Sequence, residues 1–261
     1  MRHSGEIDYT AFDGAVFDVD GTLADSEAMY IDVTEQAIRL IGDGTISSET
    51  AVQMRRAAFG RSEPDMCSVV YGFLKVRGLT DRVRSKSDSE FFDEFMEIRM
   101  PLFRQWVESG RLNALPGAVD LVKNLYSRFG PLGVATGSTP PINSLILDDF
   151  LRLSNELPRN LRVYGSEMPD RCGKPNPLIW LVAAHRLQVE PKRLVAFEDR
   201  WSGALSALIA GYGMVVAVPE DGNAEPFERE IAKYWGLFPE GSFANDSNRL
   251  VMLSSLSAVK P

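Results

Sequence analysis

The chain is expected to be an α/β protein, a Rossmann-like parallel sheet with a helical segment inserted after its first strand. Three observations predict this. The apolar run Ala15-Val16-Phe17 ends in Asp18-Val19-Asp20-Gly21, as a buried strand opening into a loop does. From Asn113 onward, short apolar runs alternate with helical stretches, the rhythm of a parallel sheet covered on both faces. Residues 25–112 in between carry helical patterning without a clear strand, so the first strand belongs with the later half. The expected division is a core of residues 1–24 and 113–261 and a helical domain of residues 25–112.

In order along the chain, Ser26 can cap a helix that runs to about Ile41, with Met29, Val33 and Ala37 near helical spacing, and Gly42-Asp43-Gly44 ends it. Helical stretches follow at Ser47–Phe59, Ser62–Arg77 and Ser87–Ser109. The last carries Phe91, Phe92, Phe95, Phe103 and Trp106, read as the core stripe of a small helical bundle. Pro116-Gly117 opens a helix to about Phe129, Leu132–Thr136 reads as a strand, Ile142–Leu151 as a helix and Leu161–Tyr164 as a strand. Then come a helix at Pro177–Leu187, a strand at Arg193–Phe197, a small-residue helix at Ser202–Ala210 and a strand at Met214–Val218. A helix near Glu225–Trp235 and a strand at Leu250–Leu253 complete the reading.

Charge narrows the function classes. With 28 basic against 36 acidic residues the net charge is -8, which argues against a nucleic-acid footprint and for a small-molecule partner. Cys67 and Cys172 have neither disulfide-framework nor zinc spacing. No leader-like apolar segment lies in Met1 to Thr10 and no long apolar run occurs, so the expectation is a cytoplasmic protein without a membrane span, monomeric or weakly dimeric.

The chemistry collects at expected strand ends, where open parallel sheets bind ligands. Asp18 and Asp20 follow the first strand; as a calcium loop they fail, because Gly21 is fourth and Met29 twelfth from Asp18. Thr136-Gly137-Ser138 ends the next, offering hydroxyls and an amide to an anionic oxygen. Lys174 stands in Gly-Lys-Pro-Asn-Pro before a helix and can neutralise a phosphate, and Glu198-Asp199 is a second acid pair after a strand. The set offers carboxylate oxygens for a hard cation such as magnesium, and a lysine and hydroxyl for phosphate.

In this order and spacing the motifs resemble those of the haloacid dehalogenase-like (HAD) superfamily of phosphohydrolases: Asp18–Thr22, Thr136, Lys174-Pro175 and Glu198-Asp199. The helical insertion is similar to the superfamily's C1 cap. GKPNPLIWLVAAHRL and VAFED are similar to the branch of sugar-phosphate phosphatases, beta-phosphoglucomutase and pseudouridine-5'-phosphatase. The resemblance implies Asp18 as nucleophile and Asp20 as general acid and base. It implies magnesium held by Asp18, the Asp20 carbonyl, Asp199 and Glu198, and phosphate held by Thr136, Gly137, Ser138 and Lys174. It also implies a cis Lys174–Pro175 bond.

The leading expectation is a magnesium-dependent phosphatase of a small phosphorylated metabolite. A beta-phosphoglucomutase-like phosphomutase and a catalytically inactive binding module are the alternatives. Asp20 disfavours dehalogenase and phosphonate chemistry, which have no alkoxide to protonate. Arg61, in the break between two helices of the insertion, is the candidate reader of the substrate's far end, with Arg55 and Arg56 as competitors and a solvated arginine as the plain alternative. Arg200 and Trp201 depart from the small residues usual after the acid pair; both packing outward is the favoured reading, a substrate contact the other.

Overall fold

A computed structural model describes residues 7–42, 44–58, 63–77, 83, 86–169, 172–219, 224–235 and 249–259. Strand β1, Gly14–Phe17, is buried throughout and lies inside a six-stranded parallel sheet. The ribbon strand β2, Ala24–Asp25, follows at once. The insertion then holds α1 (Glu27–Ile41), α2 (Ser48–Ala58), α3 (Glu63–Arg77) and α4 (Asp88–Glu108). Strand β3, Asn113–Ala114, pairs antiparallel with β2, so the chain leaves and re-enters the sheet region through one short two-stranded ribbon.

The remaining elements alternate: α5 (Ala118–Phe129), β4 (Gly133–Thr136), α6 (Pro140–Ser144), β5 (Arg162–Tyr164), α7 (Leu178–Leu187), β6 (Leu194–Glu198), α8 (Trp201–Ile209), β7 (Met214–Ala217), α9 (Ala224–Trp235) and β8 (Leu250–Met252). The sheet order is β5-β4-β1-β6-β7-β8, which places β1 between β4 and β6. The three strands that end in the candidate residues are therefore neighbours.

Period two sorts the strand residues between two cores. Ala15, Phe17, Val134, Val195, Phe197 and Val216 enter the cluster on one face, with Phe17 stacked on Phe197 at 4.5 Å. Val16, Ala135, Leu194, Ala196, Val215 and Ala217 enter the other, against Ile179, Trp180 and Leu208. A third cluster holds the insertion together through Ala37, Ile38, Met54, Val70, Phe91 and Phe95. The aromatic stripe of α4 is thus divided: Phe91 and Phe95 serve the insertion's core, while Phe103 and Trp106 join the cluster against the sheet. Helix α1 is divided in the same way, with Met29 and Val33 in the sheet-side cluster and Ala37 and Ile38 in the insertion's.

One expected helix differs. After Pro140–Ser144 the chain widens into a π-helical turn over Leu145–Phe150, with the Leu151 amide donating to the Ile146 carbonyl. Leu145, Ile146 and Leu147 are consecutive and all buried, which one face of an ordinary helix cannot accommodate. The expected strands at Leu132–Thr136, Arg193–Phe197 and Met214–Val218 each lie within a residue or so of the observed limits. The expected helix break at residues 59–62 lies outside the described residues.

Candidate active site

Beyond β1 the backbone turns sharply at Gly21, whose φ is +79°. A Cβ there would also sit 2.2 Å from Asp199 Oδ2, so glycine serves both the turn and the approach of the second acid pair. Gly203 makes similar room, since its Cβ would overlap the Glu198 carboxylate. These glycines let Asp18, Glu198 and Asp199 gather so closely that one oxygen from each lies within 4.8 Å of the others. All three are buried.

Lys174 reaches this cluster from the loop before α7. Its Nζ donates to Asp18 Oδ1 at 2.7 Å and to Glu198 Oε1 at 2.6 Å, and it lies 5.1 Å from the centre of the Trp180 ring. The Lys174–Pro175 bond is cis. The other Glu198 oxygen accepts the backbone amides of Asp199 and Arg200 at 2.9 and 2.8 Å, which fixes that carboxylate from behind. Asp199 is less well satisfied. Thr22 Oγ1 lies 3.4 Å from Oδ1, while among the described residues buried Oδ2 accepts no hydrogen bond and has the Arg200 guanidinium at 3.6 Å.

The electrostatics follow from burial. Desolvation lifts the Asp18 pKa to about 7, with Lys174 opposing and the Glu198 and Asp20 charges adding. Desolvation, then Glu198 and Asp18, holds Asp199 well above the ordinary carboxylate range. Burial works against the Lys174 ammonium, yet the Asp18 and Glu198 carboxylates outweigh it and keep its pKa above the usual value. Three carboxylates against the Lys174 ammonium and the Arg200 guanidinium, 3.6 Å from Asp199, leave an excess of negative charge in a buried place, with one carboxylate oxygen lacking a hydrogen-bond donor among the described residues. Hard oxygen donors so arranged suit a small divalent cation. The residues fit that ion.

Asp20 lies on the insertion side. Ser26 Oγ donates to Oδ1 at 2.7 Å and Tyr30 Oη to Oδ2 at 3.3 Å, while burial raises the carboxyl's pKa and the Ser26 bond opposes the rise. The hydroxyl expected to cap α1 is therefore used otherwise: Ser26 is the residue before α1 and makes no side-chain cap bond. Tyr30 is held as a neutral phenol by burial and by the charges of Asp20 and Glu63. Its signal was the i,i+4 spacing from Ser26, which puts both hydroxyls on one side of the first helical turn.

The candidate phosphate residues divide. Gly137 and Ser138 line a cavity of about 480 Å³ between the strand ends and the insertion, as do Asp18, Asp20, Lys174, Glu198 and Asp199. Thr136 lies beneath that lining, fully buried, its Oγ1 accepting the Ser138 amide at 3.2 Å. From the insertion, Tyr30, Thr34, Arg55, Glu63, Asp65 and Arg99 line the opposite wall. Arg55 pairs with Glu35 at 3.0 Å. Arg56 is exposed and outside the cavity lining, and Arg61 lies outside the described residues. Arg200 lines the cavity, whereas Trp201 stacks on Tyr234 at 5.4 Å. The buried Glu63–Arg99 pair, joined by Thr34 at 3.3 Å from Arg99 Nη2, was not anticipated from sequence.

Two acid pairs and a lysine thus converge at the carboxyl edge of a parallel sheet, where such sheets bind ligands. The haloacid dehalogenase-like hydrolase family model matches residues 12–211, and the chain belongs to that family. It is 27% identical over 216 residues to the phosphorylated carbohydrates phosphatase of Thermotoga maritima, covering 81% of this chain and 89% of that one. It is 26% identical to (DL)-glycerol-3-phosphatase 2 of Arabidopsis thaliana, over 78% of each chain. The fold is similar to that of CbbY from Rhodobacter sphaeroides in complex with phosphate, with a TM-score of 0.64 at 21% identity, covering 94% of this chain and 95% of that one. Among the described residues no helix is long and apolar enough to cross a membrane.

Proposed function

We propose that this chain is a phosphoric monoester hydrolase that cleaves a small phosphorylated metabolite, sugar- or polyol-like, through an aspartyl-phosphate on Asp18. The observation that carries the reading is the gathering of Asp18, at the end of the central strand β1, with the Glu198-Asp199 pair and with Lys174, which donates to both Asp18 and Glu198. The named phosphatase relatives, alignable over most of the chain, support the same class.

Asp18 attacks phosphorus as the ester P–O bond breaks, and Asp20 in its acid form gives its proton to the departing alcohol oxygen. Water then attacks the acyl phosphate, Asp20 takes the water's proton, and phosphate leaves with Asp18 restored. Lys174 and the amide of Gly137, on the loop that Ser138 shares, receive the phosphoryl oxygens as charge builds on them. Thr136, below them, holds the Ser138 amide and so the loop's shape. Asp18, Asp199, Glu198 and the Asp20 carbonyl would hold magnesium, which when bound offsets the repulsion between these carboxylates and a phosphate dianion. Residues 25–112 act as a cap, moving on the β2–β3 ribbon and closing the alcohol side of the cavity from water.

The test is phosphate release from sugar, polyol, nucleotide and carboxylate monophosphates with magnesium, against an Asp18→Asn control. Release from one of these esters, lost in the control, is expected. Release that survives the substitution, or none from any ester, contradicts the reading.

A further inference from the structure

We propose that Tyr30 is a positioning residue for Asp20, which it couples to the phosphate loop. This rests on Asp20 acting as the general acid and base described above.

Ser26 and Tyr30 stand one helical turn apart at the start of α1, and each meets one oxygen of the Asp20 carboxylate, at 2.7 and 3.3 Å. Together they fix the plane of that group. Tyr30 Oη also lies 2.8 Å from Ser138 Oγ, on the loop after β4. A phenol has one proton. An ionised carboxylate only accepts, so the order of donation is Ser138 to Tyr30 to Asp20.

The ring end is held independently. Tyr30 packs edge-to-face on Phe103 of α4, with centroids 5.3 Å apart and planes at 69°. The hydroxyl's position is thus set by two insertion helices, while its partners Ser138 and Asp20 belong to loops at the sheet. The Glu63 amide, donating to the Gly137 carbonyl at 3.4 Å, is a second bridge between the same loop and the insertion. The aim of Asp20 therefore depends on the insertion being docked, through Tyr30.

A residue that aims the acid matters when the leaving oxygen needs a proton and little when it does not. Tyr30→Phe keeps the ring and removes the hydroxyl. It is expected to lower kcat/KM for an alkyl monophosphate about tenfold or more, and for p-nitrophenyl phosphate by less than about threefold. Ser138→Ala should lower both rates together and leave their ratio unchanged, because Tyr30 still reaches Asp20. Phe103→Leu, which loosens the ring's seat and leaves the hydroxyl, should repeat the selective loss at smaller size, and it carries the test should the Tyr30 variant not fold. Equal losses on both esters, or no loss, overturns the role of Tyr30. Failure of the functional reading looks different, since the unmodified protein would then release phosphate from neither ester, removing the role with it.

Discussion

Two buried charge clusters face each other across the cavity, and they are built on opposite terms. On the insertion side Glu63 meets Arg99 bidentately, Thr34 adds a hydroxyl, and the rings of Phe95 and Phe103 lie 5.6 and 4.9 Å from the guanidinium. One charge cancels one charge. On the sheet side Lys174 pairs with Asp18 and Glu198, while Asp199 has the Arg200 guanidinium at 3.6 Å and, among the described residues, no hydrogen-bond donor to its buried Oδ2. A buried pair that closes on itself holds a fold in one arrangement. A cluster that stays anionic is stable only with a cation or a proton, and so is fitted to recruit one.

The contrast can be broken from either side. The largest expected effect is on chemistry: Asp18→Asn should reduce phosphate release by about four orders of magnitude or more while thermal melting stays close to that of the unmodified protein. On the other wall, Arg99→Met leaves the Glu63 carboxylate buried without its partner, and should destabilise the fold by about 3–5 kcal/mol in denaturant titration, with or without magnesium. The smallest effect has the opposite sign. Asp199→Asn removes a like charge from the sheet-side cluster, so the chelator-treated protein should gain about 1–2 kcal/mol while losing its response to magnesium.

Much of the sheet side was legible in the sequence, because strands alternate strictly and parallel sheets present ligands at one edge. Asp18, Gly137, Ser138, Lys174, Glu198 and Asp199 are far apart in sequence, yet each is read from a local signal, an apolar run ending at a strand exit or, for Lys174, the Gly-Lys-Pro-Asn-Pro entry to a helix, and all line one cavity. The insertion side was not legible in this way. Glu63 and Arg99 lie 36 residues apart on different helices, and their pairing depends on how α3 and α4 pack, which helical periodicity does not encode. Ser26 misled for a local reason: a serine before a helix caps it by accepting an amide from an extended backbone, but Ser26 sits at φ −102° and ψ −5° and its hydroxyl is turned to donate to Asp20. Arg56 shows the limit of residue-type reasoning, since only Arg55 of that adjacent pair lies on the cavity side of α2.

The most direct measurement of the sheet-side claim is a set of thermal melts across pH, with chelator and with magnesium. Folded-state pKa values are raised for Asp18, to about 7, and for Asp20 and Asp199. Stability from such groups is fully present below the ordinary carboxylate range and is lost as pH rises through the raised values. The chelated protein should therefore melt progressively lower from about pH 5 to pH 8, and magnesium should restore the loss, most at pH 8 and least at pH 5. Asp199→Asn should flatten the first trend and remove the second. Melting that is independent of magnesium across this range, or a magnesium response undiminished in Asp199→Asn, would contradict a cation site at the end of β1.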